Sequence, residues 1–234
     1  MTGKIPLVLV PGLLCTEALF EPVLGALEEV ATPRVVMDQT RHDTLPAIAA
    51  AILAHAPPQF ALAGLSMGGY VAQEIMRQAP GRVLRLALLD TSARADTTEQ
   101  ASRRRGLIQL AEMGEFKGVT PRLLPLLVHP ARLEDEPLCG AIMDMAAMVG
   151  KAGFLRQQKA IMARIDGRGS LGAIACPTLV MVGRQDLLTP VDHAEEMARL
   201  IPGAALEIIE DCGHMAPMEK PKSAAAALLR WLKS

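Results

Sequence analysis

Gln59-Phe60-Ala61-Leu62-Ala63-Gly64-Leu65-Ser66-Met67-Gly68-Gly69-Tyr70 is the stretch on which the reading of this chain turns. Its apolar first half follows Pro57-Pro58 and reads as a short strand buried on both faces. The strand runs directly into Gly64-Leu65-Ser66-Met67-Gly68, and Tyr70 to Gln78 continues as helix as far as Ala79-Pro80-Gly81. A serine between a buried strand and a helix, with a glycine two residues to either side, sits on a sharp and strained turn. Side chains at the glycines would collide where strand and helix pack. The turn lifts the Ser66 hydroxyl above the sheet and aims the Met67 amide, at the positive end of the helix, at the same spot. The five-residue pattern is weak alone; the strand before it and the helix after it give it weight.

Outward from this turn, strands and helices alternate. Ile5 to Val10 is an apolar run ended by Pro11-Gly12, and Leu19 to Val30 has helical spacing. Arg34 to Met37 reads as a second strand. Thr44 can cap a helix with Pro46 in its first turn, stopped by Pro57-Pro58. Val83 to Leu89 is a further strand ending at Asp90. From about Ala95 to Gly172 only helical patterns appear, divided by Pro121, Pro125, Pro130, Pro137, Gly150 and Gly153. The strand rhythm returns at Thr178 to Val182 and Ala205 to Ile209, with helices near Val191 to Leu200 and Pro217 to Leu232. Such alternation implies an α/β fold, a mostly parallel sheet flanked by helices. An all-helical block between two strands is too large for a loop. Residues 1–94 and 173–234 are therefore read as the core, and residues 95–172 as an inserted helical lid over the strand ends.

The 234 residues are half hydrophobic and carry a formal net charge of −1, which suits one domain and argues against a nucleic-acid partner. The cysteines, Cys15, Cys139, Cys176 and Cys212, form neither a C-x-x-C pair nor a metal-ligand pattern, and read as free thiols of a cytoplasmic protein. No stretch is expected to reach the roughly 20 apolar residues that span a bilayer. Arg103-Arg104-Arg105 is the one tight basic run; it reads as a solvated helix face, with a docking patch for an anionic carrier or partner as the alternative.

A serine hydroxyl needs a base to take its proton. Of the five histidines, His42 and His214 lie just beyond strand ends, where sites of open α/β sheets gather. His214 is favoured, because its loop is tight and the following helix can pin the ring. The carboxylate that orients it is read as Asp186, in Gly183-Arg184-Gln185-Asp186, with Asp90 as runner-up. The second oxyanion donor belongs to the loop after the first strand, Pro11-Gly12-Leu13-Leu14. Leu13 N–H is chosen beside Met67 N–H, with Leu14 the alternative.

With those residues placed, nearly the whole chain resembles the α/β-hydrolase superfamily, and within it the single-domain esterase, enol-lactonase and carboxylesterase group with a helical lid. Three motifs carry the resemblance in order: Gly64-Leu65-Ser66-Met67-Gly68-Gly69; Gly183-Arg184-Gln185-Asp186 with Pro190; and Gly213-His214 with Glu219-Lys220-Pro221. The chain departs from many relatives in having Pro11-Gly12 after the first strand, and in lacking the antiparallel pair that often precedes it, which implies about six strands. The resemblance implies hydrolysis of a small or medium, largely apolar ester, thioester or lactone, with no cofactor. Other chemistry on the same triad (C–C bond hydrolysis or cofactor-free perhydrolysis) and slow-turnover ligand sensing are the alternatives. It further implies that the lid sets substrate choice. The lid contributes Met113, Met143, Met145, Met148, Met162, Phe116 and Phe154, read mainly as core with some lining an apolar pocket.

Overall fold

A computed structural model of the chain describes residues 3–234, the side chain of Glu115 excepted. Six strands form one fully parallel sheet: β1 (Ile5–Val10), β2 (Ala31–Val35), β3 (Phe60–Leu65), β4 (Val83–Leu89), β5 (Thr178–Gly183) and β6 (Ala205–Ile209). Their order across the sheet is β2-β1-β3-β4-β5-β6. All residues of β3 and β5 are buried, as the central strands of a sheet covered on both faces must be.

Alternation along each strand divides the core. Leu7, Leu9, Ala61, Ala63 and Leu65 face α1 (Glu21–Leu27) and, near the C-terminus, α9 (Pro221–Lys233). Val8, Val10, Phe60 and Leu62 face the other way, onto α2 (Leu45–His55), α3 (Met67–Gln78) and α7 (Val191–Leu200). The winding reverses between β1 and β3, so the loops after these two strands diverge and leave a crevice at their carboxyl ends. Those loops carry Leu13 and Ser66.

Between β4 and β5 lie α4 (Thr98–Leu110), a π turn at Ala111–Glu115, α5 (Glu136–Met162) and α6 (Arg168–Leu171), with 3-10 turns at Leu124–Leu126 and Pro130–Arg132. Thr97 and Gln100 form a reciprocal cap on α4, yet no residue of α4 is buried. Helix α5 is tied to the body of the protein through Leu138, Cys139, Ile142 and Met145.

Several boundaries differ from expectation. The second strand lies at Ala31–Val35 rather than Arg34 to Met37; it pairs only with β1, and an open edge tolerates Pro33. The helix expected over Leu19 to Val30 is a 3-10 turn at Glu17–Leu19 followed by α1. The helix expected over Pro217 to Leu232 is split into α8 (Ala216–Glu219) and α9, because Lys220 precedes Pro221 and is driven from helical geometry to φ −131°, ψ 58°. Contrary to the expectation of no spanning-length segment, α5 has 27 residues and an apolar window of mean hydropathy 1.4, long and apolar enough by composition to cross a bilayer. Gly150 (φ 66°, ψ 177°) interrupts that helix.

Candidate active site

Ser66 stands at the β3–α3 junction with φ 55° and ψ −115°, a conformation that side chains rarely adopt. The fold fixes it there. Its N–H donates to the Leu89 carbonyl at 2.9 Å, and its own carbonyl accepts the Thr91 hydroxyl at 2.7 Å. A Cβ at Gly68 would collide with the Val10 carbonyl, and one at Gly64 with the Gly68 carbonyl, so the turn closes only with glycine at both places. Met67 opens α3, and its amide is one of the helix N-terminal donors without an intrahelical acceptor.

Asp186 lies in the loop after β5. Its Oδ1 accepts the N–H groups of Leu188 (2.8 Å) and Thr189 (3.0 Å), and its Oδ2 accepts the Thr189 hydroxyl (2.7 Å). The same Oδ2 is 2.8 Å from His214 Nδ1. Burial works against a charge on Asp186, but His214 and these donors outweigh it, and the carboxyl is held below its ordinary range. For His214 burial pulls the pKa down, and the facing Asp186 carboxylate reverses this, leaving the imidazole above its ordinary value. A carboxylate on Nδ1 selects the tautomer in which Nε2 is the free, basic nitrogen.

The His214 loop is held from beneath by Glu219, a residue 1 % exposed. Its carboxylate accepts the backbone N–H of His129 (2.7 Å), Gly213 (3.1 Å) and Met215 (3.0 Å). His214 N–H donates to the Leu127 carbonyl at 2.9 Å, so the segment between α4 and α5 also sets the ring's position.

After β1, Cys15 N–H closes a turn onto the Gly12 carbonyl at 3.2 Å, with Leu14 at φ 59°. The Leu14 amide is engaged: it donates to Gln157 Oε1 of α5 at 3.1 Å. Leu13 lines the cavity above Ser66.

That cavity, about 730 Å³, brings together Leu13, Ser66 and His214. No hydrogen bond joins the Ser66 hydroxyl to His214 among the described residues; such contacts are often long without substrate. Its walls come from the β4–β5 segment, including Leu107, Leu110, Phe116 and Phe154. None of the five lid methionines lines it, and Met113 and Met148 are exposed. His42 lies away from it, whereas His193 lines it with a buried Nδ1 that has no partner among the described residues. Asp90 is fully buried beneath the site. Its Oδ1 accepts Gly183 N–H at 2.8 Å, its Oδ2 has no partner among the described residues, and burial beside the Asp186 carboxylate raises its pKa well above the usual range. Arg104 is no freely solvated member of the basic run: it pairs with Asp96 at 2.8 Å and lines the cavity with Arg103.

Glu219 and Gln157 escaped assignment from sequence. Glu219 is part of the last motif, which hints at a role near His214. A glutamine on a kinked helix, 143 positions from its partner, gives no local signal.

The family model described as "Alpha/beta hydrolase family" matches residues 7–228. The chain is 26% identical over 193 residues to pimeloyl-[acyl-carrier protein] methyl ester esterase of Chromobacterium violaceum, covering 80% of this chain and 76% of that one. Among solved structures, a thermophilic esterase from Thermogutta terrifontis (malate bound) superposes with a TM-score of 0.87 at 28% identity, covering 99% of this chain and 91% of the other. The enol-lactonase from Burkholderia xenovorans LB400 superposes at 0.89 with 22% identity, over 99% and 92% of the two chains, a likeness of fold.

Proposed function

The chain belongs to the alpha/beta hydrolase family, and from that premise we propose that it is a serine hydrolase of small or medium, largely apolar carboxylic esters, thioesters or lactones. Its relatives include esterases and enol-lactonases, which supports ester hydrolysis as the reaction class. The observation that carries the reading is the Asp186–His214 contact at 2.8 Å beside a cavity that Ser66 also lines.

In this reading His214 Nε2 takes the Ser66 proton as Oγ attacks the substrate carbonyl. The Leu13 and Met67 amides hold the resulting oxyanion; Leu14 is set aside because its amide is already bonded to Gln157. His214 returns the proton to the departing alkoxide, leaving an acyl-Ser66. It then deprotonates a water that attacks the acyl carbon, and Ser66 leaves with the proton while the acid is released. Asp186 stabilises the imidazolium at each stage. Residues 95–172 act as the lid, supported by the apolar side chains they place around the cavity. The four cysteines are free thiols, in keeping with a cytoplasmic site.

The test is labelling by a fluorophosphonate probe, together with turnover of a panel of acyl esters, thioesters and lactones. Wild type is expected to be labelled and active, and Ser66→Ala neither. Equal labelling of the two proteins would remove Ser66 as nucleophile.

A further inference from the structure

The cavity above Ser66 is unevenly charged. Arg94, Arg103, Arg104, Lys117, Arg122 and Arg164 line it, and its described lining includes no carboxylate. Arg94 is balanced, lying 2.7 Å from Glu196 and 3.0 Å from Asp192. Arg104 and Arg164 are not. Arg104 Nε donates to Asp96 Oδ2 at 2.8 Å, and Arg164 Nη1 stands 2.7 Å from Asp96 Oδ1 in an ion pair off hydrogen-bond alignment. One carboxylate therefore serves two guanidiniums.

Their surroundings do not supply the missing charge. The remaining acceptors are neutral: Gln158 Oε1 for Arg104 at 3.0 Å, and the Arg94 and Ile161 carbonyls for Arg164. In both guanidiniums Nη2 makes no hydrogen bond among the described residues. The side chains of Arg104, Arg164 and Asp96 are 21%, 7% and 5% exposed, so water screens the surplus poorly. Charges withdrawn from water ordinarily keep a full set of counter-charges and acceptors. The cavity is where a missing anion can enter.

The surplus lies close to the reacting serine. The Arg164 guanidinium sits 4.4 Å from the centre of the Tyr70 ring. Tyr70 lines the cavity in the first turn of α3, and its N–H donates to the Ser66 carbonyl at 3.3 Å. A short apolar chain attached to a carbonyl at Ser66 would run past this ring toward the guanidiniums that line the same cavity.

We propose that the preferred substrate is an ester whose acyl chain ends in a carboxylate, seated between Arg104 and Arg164 while the ester carbonyl lies at Ser66. Each guanidinium offers a planar fork that matches a carboxylate. Arg103, Lys117 and Arg122 on the walls form no ion pair among the described residues and draw anions inward. The inference rests on the hydrolase reading above and replaces its largely apolar ester with one that is apolar only between the ester carbonyl and a terminal carboxylate.

The experiment compares monomethyl esters of straight-chain dicarboxylic acids of increasing length with methyl esters of the matching monocarboxylic acids. Acid release gives kcat/KM for each pair. At one length the half-ester is expected to be preferred by about tenfold or more, mainly through KM, and the preference to shrink as salt is raised. Arg104→Gln, at the more exposed of the two arginines, should bring the ratio close to one, with Arg104→Lys restoring part of it. Circular dichroism confirms that these variants fold. Neutral esters cleaved as well as half-esters at every length would overturn this inference and leave the hydrolase reading intact. A preference undiminished in Arg104→Gln would overturn it too. No turnover of either series, with no labelling of Ser66, would overturn both.

Discussion

Leu14 N–H donates to Gln157 Oε1 at 3.1 Å, joining the loop after the first strand to a helix 143 residues further along the chain. Leu14 holds φ 59°, and a leucine in that region stores about 1–3 kcal/mol of backbone strain. The glutamine thus holds a strained residue next to Leu13, whose amide is the proposed oxyanion donor. Gln157→Leu would orphan a buried N–H at a cost of about 1–3 kcal/mol. It should also lower kcat by up to the roughly 3 kcal/mol attached to one oxyanion donor. Urea unfolding and ester kinetics read the two effects separately. A variant that matches wild type in both would show that the contact positions nothing.

Asp186 and Asp90 both follow strands and act on His214, yet they should respond oppositely to the same change. Asp186→Asn leaves His214 in the wrong tautomer, and kcat should fall on the order of 10³–10⁴-fold. Asp90, with its pKa raised by burial beside the Asp186 carboxylate, keeps its proton to higher pH in the fold than when unfolded. The folded state then binds the extra proton, so this group costs stability as pH climbs from its unfolded toward its folded pKa. Asp90→Asn removes that loss, keeps an acceptor for Gly183 N–H, and suits the positive φ of 42°. It should be as stable as wild type or more so at neutral pH, and active. A collapse of activity in Asp90→Asn alone would exchange the two roles.

With His214 as the proposed base, working only when neutral, its raised pKa should put the acid limb of kcat/KM above 6.5. The stability it contributes has the opposite dependence. It is fully present below the unfolded pKa and is lost as pH rises through the folded one, so the active form lacks this increment. Asp186, with its pKa lowered, contributes stability above 3.8 that disappears as pH falls through its folded value. A rate profile, set beside urea unfolding at several pH values, checks both signs. An acid limb below 6.5 would contradict the raised imidazole.

Glu219→Ala should be among the most destabilising single changes near the site. It leaves the His129, Gly213 and Met215 amides without their acceptor, and each such group costs about 1–3 kcal/mol when buried. Glu219→Gln keeps part of the acceptor capacity and should fall between. Thermal melts order the three proteins. Equal melting temperatures would mean that water replaces the carboxylate.

Local rules made much of this protein legible in its sequence. Apolar runs closed by glycine and proline mark the strands. The glycines flanking Ser66 mark a turn that nothing bulkier can close, and the order of Ser66, Asp186 and His214 suggests a family. The strands and the turn depend on neighbours within a few residues, and the order of the three residues is itself a property of the chain. Edges and breaks were less clear. β2 lies earlier than its apolar run suggests because an open sheet edge accepts Pro33, and the C-terminal apolar stripe breaks at Lys220 because one proline outweighs it.

What the tertiary structure alone decided is which distant groups share a space. The Gln157 contact with Leu14, the three amides gathered by Glu219, the burial of Asp90 and the single carboxylate between Arg104 and Arg164 join residues far apart or facing in directions no local pattern encodes. Hydrogen bonds and charges act over a few ångströms in space, and sequence separation carries no record of that distance until the sheet and its helices have packed.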